Sequence, residues 1–282
     1  MEPIISFYQT PGPYTTPKNF RQLLQTLPDD NEEIIRFIKK ILIHPMDAKN
    51  SGFRFDYKKA LRSQIDHRSI DDILTNPKVE ALLKLNTLDF QSSPAQRGIL
   101  SCDHHALFFA SILRLKGQAV RVRCGYATYI VPEKLIPHWI SEIYDEGQQR
   151  WEYIDPEQVR LKFEEGAFLL AGKVWLDIRQ GRLELAHVMP DYRGGLDGVK
   201  YRLLNDLNAL MKQELLNYDW IIKEARPKAP KLFSKPVAKM DEAECSLLDT
   251  LAALSLDVEV HWERIGEQYA TYVRPENWRI PG

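Results

Sequence analysis

One change of period constrains this chain more than any other feature. From Cys102 to Lys116 the apolar residues Ala106, Phe109, Ala110 and Leu113 recur at spacings of three and four, and Gly117 stands where a helix should stop. The pattern then becomes period two. Val120, Val122, Cys124, Tyr126, Thr128 and Ile130 alternate with Arg121, Arg123, Gly125, Ala127 and Tyr129, the signature of a strand. Pro132 and Pro137 bracket a loop, and two more strand-like runs follow, His138 to Tyr144 and Trp151 to Asp155, joined by a turn around Asp145-Glu146-Gly147. A helix followed by antiparallel strands predicts an α+β fold.

The flanks read as mostly helical. Proline fixes its own φ and restricts its predecessor, so Pro11, Pro13 and Pro17 imply an extended or turn-like opening. Asp29-Asp30-Asn31 offers capping groups to a helix carrying Ile34, Ile35, Phe37, Ile38, Ile41 and Leu42. Two or three further helices are expected between Phe55 and Leu88. Beyond Glu157 the pattern is mixed until a helix over Leu203–Trp220, with Leu203, Leu207, Leu210, Met211, Leu215 and Tyr218 on one face. Residues 223–240 hold Pro227, Pro230 and Pro236 among basic side chains and read as an exposed linker. A helix over about Asp241–Leu254 and a strand over Val258–Trp262 are expected to close the chain.

Composition sets outer bounds. Thirty-eight basic residues against 39 acidic ones give a formal charge of −1, which argues against a strongly basic nucleic-acid binder. The three cysteines, Cys102, Cys124 and Cys245, are odd in number and form no C-x-x-C pair, so neither a disulfide framework nor a zinc ribbon is expected. No apolar run approaches the ~18 residues of a membrane span. The first residues lack the basic start and apolar stretch of a signal peptide. The expectation is a soluble cytoplasmic protein without cofactor, nucleic-acid or membrane partner.

Three residues of the central block suit a thiol catalytic triad. Cys102 falls at the expected start of a helix, where unpaired N–H groups and the dipole favour a thiolate. His138, on a strand, could take and return a proton, and Asp155, on the next strand, could orient the imidazole. Each has a plainer reading. A lone cysteine is usually a small buried hydrophobe, a lone histidine a satisfied structural one, and Asp155 before Pro156 a strand-ending turn residue. Cys124 lies inside the strand alternation and reads as core, and Cys245 as structural. His104 and His105 raise a zinc hypothesis with Cys102 and His138, but consecutive helical residues point about 100° apart, so no metal site is assigned.

The stretch Gly98-Ile99-Leu100-Ser101-Cys102-Asp103-His104-His105-Ala106-Leu107, with Leu113–Tyr126, His138-Trp139-Ile140-Ser141-Glu142 and Trp151-Glu152-Tyr153-Ile154-Asp155-Pro156, resembles the core of the transglutaminase-like superfamily. Tyr8-Gln9-Thr10-Pro11-Gly12-Pro13, Phe168–Trp175 and the helix with Asp206, Leu207, Asn208, Leu210 and Glu214 are similar to a bacterial subgroup of small transglutaminase-like domain proteins. The resemblance implies a papain-like core, the Cys-bearing helix on an antiparallel sheet, with helical N- and C-terminal flanks. It also implies a Cys-His-Asp triad on Cys102, His138 and Asp155. The chain then divides into an extended and helical flank (1–49), a catalytic core (50–160), a helical extension (161–222), the basic linker (223–240) and a closing segment (241–282).

The backbone N–H of Cys102 is a natural first oxyanion donor, and Gln96, at the spacing papain-type enzymes use, is the candidate second, its plainer reading a polar loop residue; Trp139 and His104 are cleft candidates, Trp139 as a shield for the ion pair or simply as packing. Two departures stand out. Trp139 follows the histidine directly, where the superfamily more often has tryptophan two residues on, and Ile-Leu-Ser precedes the cysteine in place of a short Gly-x-Cys. The implied activity is acyl transfer or amide hydrolysis through an acyl-enzyme, on an amide, peptide or thioester substrate. Two other classes remain open: a non-catalytic binding module on the same scaffold, and a protein that engages a protein partner through 223–240.

Overall fold

The computed structural model describes residues 2–190, 193–216 and 230–274. They divide into two compact units, one formed by residues 2–121 and 140–162, the other by 122–139 and 163–274. The fold is mixed α+β.

The first unit begins with helices α1 (Glu2–Tyr8), α2 (Arg21–Gln25) and α3 (Asn31–Ile41). The Asp30 side chain accepts the Glu33 N–H at 2.9 Å and caps α3. Glu32 and Glu33 lie in its first turn and Lys39 and Lys40 in its last, complementing the helix dipole. The two-residue strand β1 (Leu42–Ile43) follows, then α4 (Pro45–Asn50), α5 (Tyr57–Ser63), α6 (Ile70–Leu74) and α7 (Pro77–Leu83). Ser69 and Asp72 form a reciprocal capping box on α6, and Asn76 caps α7, whose first residue is Pro77. β2 (Gly98–Ile99) pairs in parallel with β1.

Helix α8 (Cys102–Leu115) is buried from Cys102 to Arg114. It carries apolar side chains around its circumference and packs on α2, α3 and α6, as an interior helix must. Gly117, at φ 78°, ends it as the sequence implies, and Gln118 N–H donates to the Leu113 carbonyl at 3.0 Å.

Strands β3 (Val120–Ala127), β4 (Ile136–Asp145), β5 (Arg150–Ile154) and β6 (Phe168–Leu170) are ordered β5-β4-β3-β6 in one antiparallel sheet. In the first unit β5 pairs with β4 from Asp145↔Arg150 to Ser141↔Ile154. Arg121, at the start of β3, bonds the Glu142 carboxylate and lies over the Trp151 ring at 4.1 Å.

In the second unit β6 pairs with β3, Gly125 opposite Leu170. A Cβ at Gly125 would sit 2.3 Å from the Leu169 carbonyl oxygen, so only glycine allows this approach. Helices α9 (Ala171–Arg179), α10 (Gly195–Leu210), α11 (Lys231–Ser234), α12 (Glu242–Leu256) and α13 (Val258–Gln268) complete it. α12 packs on α9 and α13.

Two sequence expectations need correction. Residues 258–262 belong to helix α13, not to a strand. Their period-two apolar pattern is incidental: Val260 is 70% exposed, while Val258 and Ile265, seven residues apart, are buried on one helical face. The helix expected from Leu203 starts earlier, at Gly195, and ends at Leu210, with Lys212 in the left-handed region at φ 53°. The expected continuation over 217–220 and the linker residues 223–229 lie outside the described residues. Of the remaining linker span, Phe233 is buried and Lys235 pairs with Glu244.

Candidate active site

Cys102 is the first residue of α8, with Ser101 as N-cap in extended backbone. It is largely buried and disulfide-free. The polar groups behind it are joined by hydrogen bonds in the first unit. The Ser101 hydroxyl lies 2.6 Å from Asp103 Oδ1 and 2.9 Å from Gln64 Oε1. Asp103 Oδ1 also accepts the His104 N–H at 3.0 Å and stands 2.9 Å from its Nδ1.

His105, one turn on, has Nδ1 2.9 Å from the Ser101 carbonyl; with a carbonyl as partner, Nδ1 carries the proton and donates. Burial holds the His105 imidazole well below its ordinary value, and the nearby Lys39 cation pushes the same way; the Ser101 carbonyl opposes both. His105 is therefore neutral, with Nε2 a bare acceptor. Burial, then the nearby His104, also lower His67.

Asp155 follows β5 directly and is fully buried. Its Oδ1 accepts the backbone N–H groups of Glu157 at 2.9 Å and Gln158 at 3.0 Å. Two N–H donors on one carboxylate oxygen fix the side chain in one orientation. The loop closes on itself: Asp155 and Arg160 exchange both backbone hydrogen bonds, at 2.8 and 3.0 Å. To make that turn Val159 adopts φ 55°, a strained conformation for a β-branched residue.

His138 and Trp139 belong to the second unit, and strand β4 carries the chain from them into the first. Both are buried. The Tyr129 ring meets the His138 imidazole edge-on at 6.3 Å and Phe163 at 5.7 Å, which gives the imidazole an aromatic wall.

The remaining sequence candidates are placed as follows. His104 is fully buried inside the network behind Cys102. Gln96 is exposed, and its Oε1 accepts from the Ser93 N–H and hydroxyl, capping a short 3-10 turn.

Sequence reading missed Lys39, Gln64 and Glu157. None of the three is apolar, so none carried a periodic signal. No protein-family model, no curated protein and no solved structure matches the chain. Among the described residues no helix is long and apolar enough to cross a membrane.

Proposed function

We propose that the chain is a thiol-dependent acyl-transfer enzyme of transglutaminase-like type, with Cys102 as nucleophile, His138 as general base and acid, and Asp155 as the group that orients the imidazole. The observation that carries this reading is the pairing of chemistry with preparation. A cysteine opens a buried helix, where backbone N–H groups have no intrahelical acceptor. A buried aspartate is held in one orientation by two backbone donors. Neither arrangement is needed simply to fill space.

In the proposed cycle His138 takes the Cys102 thiol proton as sulfur attacks a carbonyl carbon. The S–C bond forms, the electron pair moves to the carbonyl oxygen, and the Cys102 backbone N–H donates to the resulting oxyanion. Collapse breaks the bond to the amine or thiol leaving group, which receives the proton from His138. Water or an amine then attacks the acyl-enzyme by the reverse proton path and regenerates the thiol. The substrate is an amide, peptide or thioester.

The test is alkylation of Cys102 by iodoacetamide at neutral pH, in EDTA, followed by peptide mass mapping. His138→Ala should slow labelling by about 100-fold, the scale of a lost proton-transfer partner. Equal rates in both proteins would leave Cys102 an ordinary buried thiol and favour a binding module.

A further inference from the structure

Behind Asp155 lies a connection that the triad alone does not require. The Lys39 ammonium, in the last turn of α3, donates to the Glu157 carbonyl at 2.7 Å. That carbonyl and the Gln158 N–H belong to one peptide group, and the Gln158 N–H donates to Asp155 Oδ1 at 3.0 Å. The path therefore runs from a cation, through a single amide, to the carboxylate. Donation to an amide oxygen polarises the amide and strengthens its N–H as a donor, on the order of 10–30% per bond.

The surroundings focus the lysine on this peptide. Its charged neighbours are the Glu157 carboxylate and Asp47 Oδ2, each 3.7 Å from Nζ, with His105 of α8 within electrostatic reach. The Glu157 side chain is 3% exposed and that of Lys39 24%, so solvent screens the arrangement only in part. At 3.7 Å the carboxylates balance the charge, while the short directional bond goes to the Glu157 carbonyl.

We propose that Lys39 is a positioning residue for the candidate active site: through the peptide between residues 157 and 158 it holds and polarises the donor that fixes the Asp155 carboxylate. This rests on the acyl-transfer reading above. Lys39 touches no reacting atom. Its effect on Cys102 passes through Asp155, so removing Asp155's charge should remove Lys39's influence as well.

The experiment measures Cys102 alkylation across pH in wild type, His138→Ala, Asp155→Asn, Lys39→Met, Lys39→Arg and the double variant Lys39→Met/Asp155→Asn. Lys39→Met should slow labelling at neutral pH by about tenfold, as for a lost hydrogen bond from a charged group, and move the labelling profile to higher pH. Lys39→Arg, which keeps a cation, should recover most of the loss. Lys39→Met should have no further effect in the Asp155→Asn background. If Lys39→Met does not fold, Lys39→Gln, an uncharged donor, should show a smaller slowing in the same direction.

Normal labelling in Lys39→Met or Lys39→Gln, with slow labelling in His138→Ala, overturns the proposal and leaves the acyl-transfer reading standing. Full additivity with Asp155→Asn also overturns it, because Lys39 would then act by another route. Normal labelling in His138→Ala and Asp155→Asn removes the acyl-transfer reading, and this inference with it.

Discussion

Each unit buries charged and polar side chains, and a bidentate ion pair in one contrasts with two unmatched acceptors in the other. In the second unit Arg123 grips Asp206 with both arms, Nε to Oδ1 at 3.0 Å and Nη2 to Oδ2 at 2.9 Å. Nη2 also donates to the Ser255 carbonyl, and the Cys124 N–H donates to Asp206 Oδ1. In the first unit the cluster around α8 and the loop after β5 includes His105 Nε2 and Glu157 Oε1, buried atoms without a hydrogen-bond partner among the described residues. Leaving such atoms unmatched costs free energy. The Arg123–Asp206 pair ties α10 to β3, whereas His105 Nε2 and Glu157 Oε1 can still accept a proton or a donor. On the proposed reading the first-unit cluster serves the candidate site and the second-unit pair serves the fold.

The largest expected effect lies on the structural side. Asp206→Ala strands a buried guanidinium and should cost about 3–5 kcal/mol in chemical denaturation; a loss under about 1 kcal/mol would erase the distinction between the clusters. On the functional side, Cys102→Ala should remove labelling at that position while shifting stability by no more than about 1 kcal/mol. A loss of several kcal/mol there would return Cys102 to the plain reading of a core residue.

A smaller effect sharpens the comparison through pH. His105 is depressed in the folded protein, so on acidification the unfolded chain takes up this proton first, near its ordinary value of 6.5. The stability tied to neutral His105 is therefore complete above that pH and is lost as pH falls below it toward the folded value. His67 acts in the same direction. His105→Asn, which retains a donor for the Ser101 carbonyl, should flatten stability below pH 6.5 by up to about 1.4 kcal/mol per pH unit. An unchanged slope would mean that His105 is not held neutral.

Much of the fold was legible where local chemistry and periodicity agree. The Asp30 cap, the Gly117 stop and a strand opening at Val120 each have a local physical cause and stand where the sequence places them, although the strand ends at Ala127, short of Ile130, and buries Arg121 and Arg123 on its other face. The failures came where local pattern and tertiary packing disagree. Val258, Val260 and Trp262 alternate like a strand, but the Asp257 cap and the apolar pair Val258 and Ile265 make a helix. The missed first turns of α10, from Gly195 to Arg202, include Gly195, Asp197, Gly198 and the buried Lys200 and Arg202, and so carry too little apolar signal to be read.

For the candidate site, Cys102, His138 and Asp155 could be named from residue type and order. The support behind them could not. A lysine bonded to a backbone carbonyl 118 residues away leaves no trace in periodicity, and neither does a valine forced to positive φ.

The most direct measurement is to trap the acyl-enzyme. Wild-type protein, Cys102→Ala and His138→Ala would be mixed with p-nitrophenyl acetate, quenched in acid within the first turnover, and mapped by peptide mass. An acetyl group is expected on the Cys102 peptide of the wild type, absent from Cys102→Ala and strongly reduced in His138→Ala. Acetylation confined to surface lysines, or equal acetylation of Cys102 in wild type and His138→Ala, would contradict it.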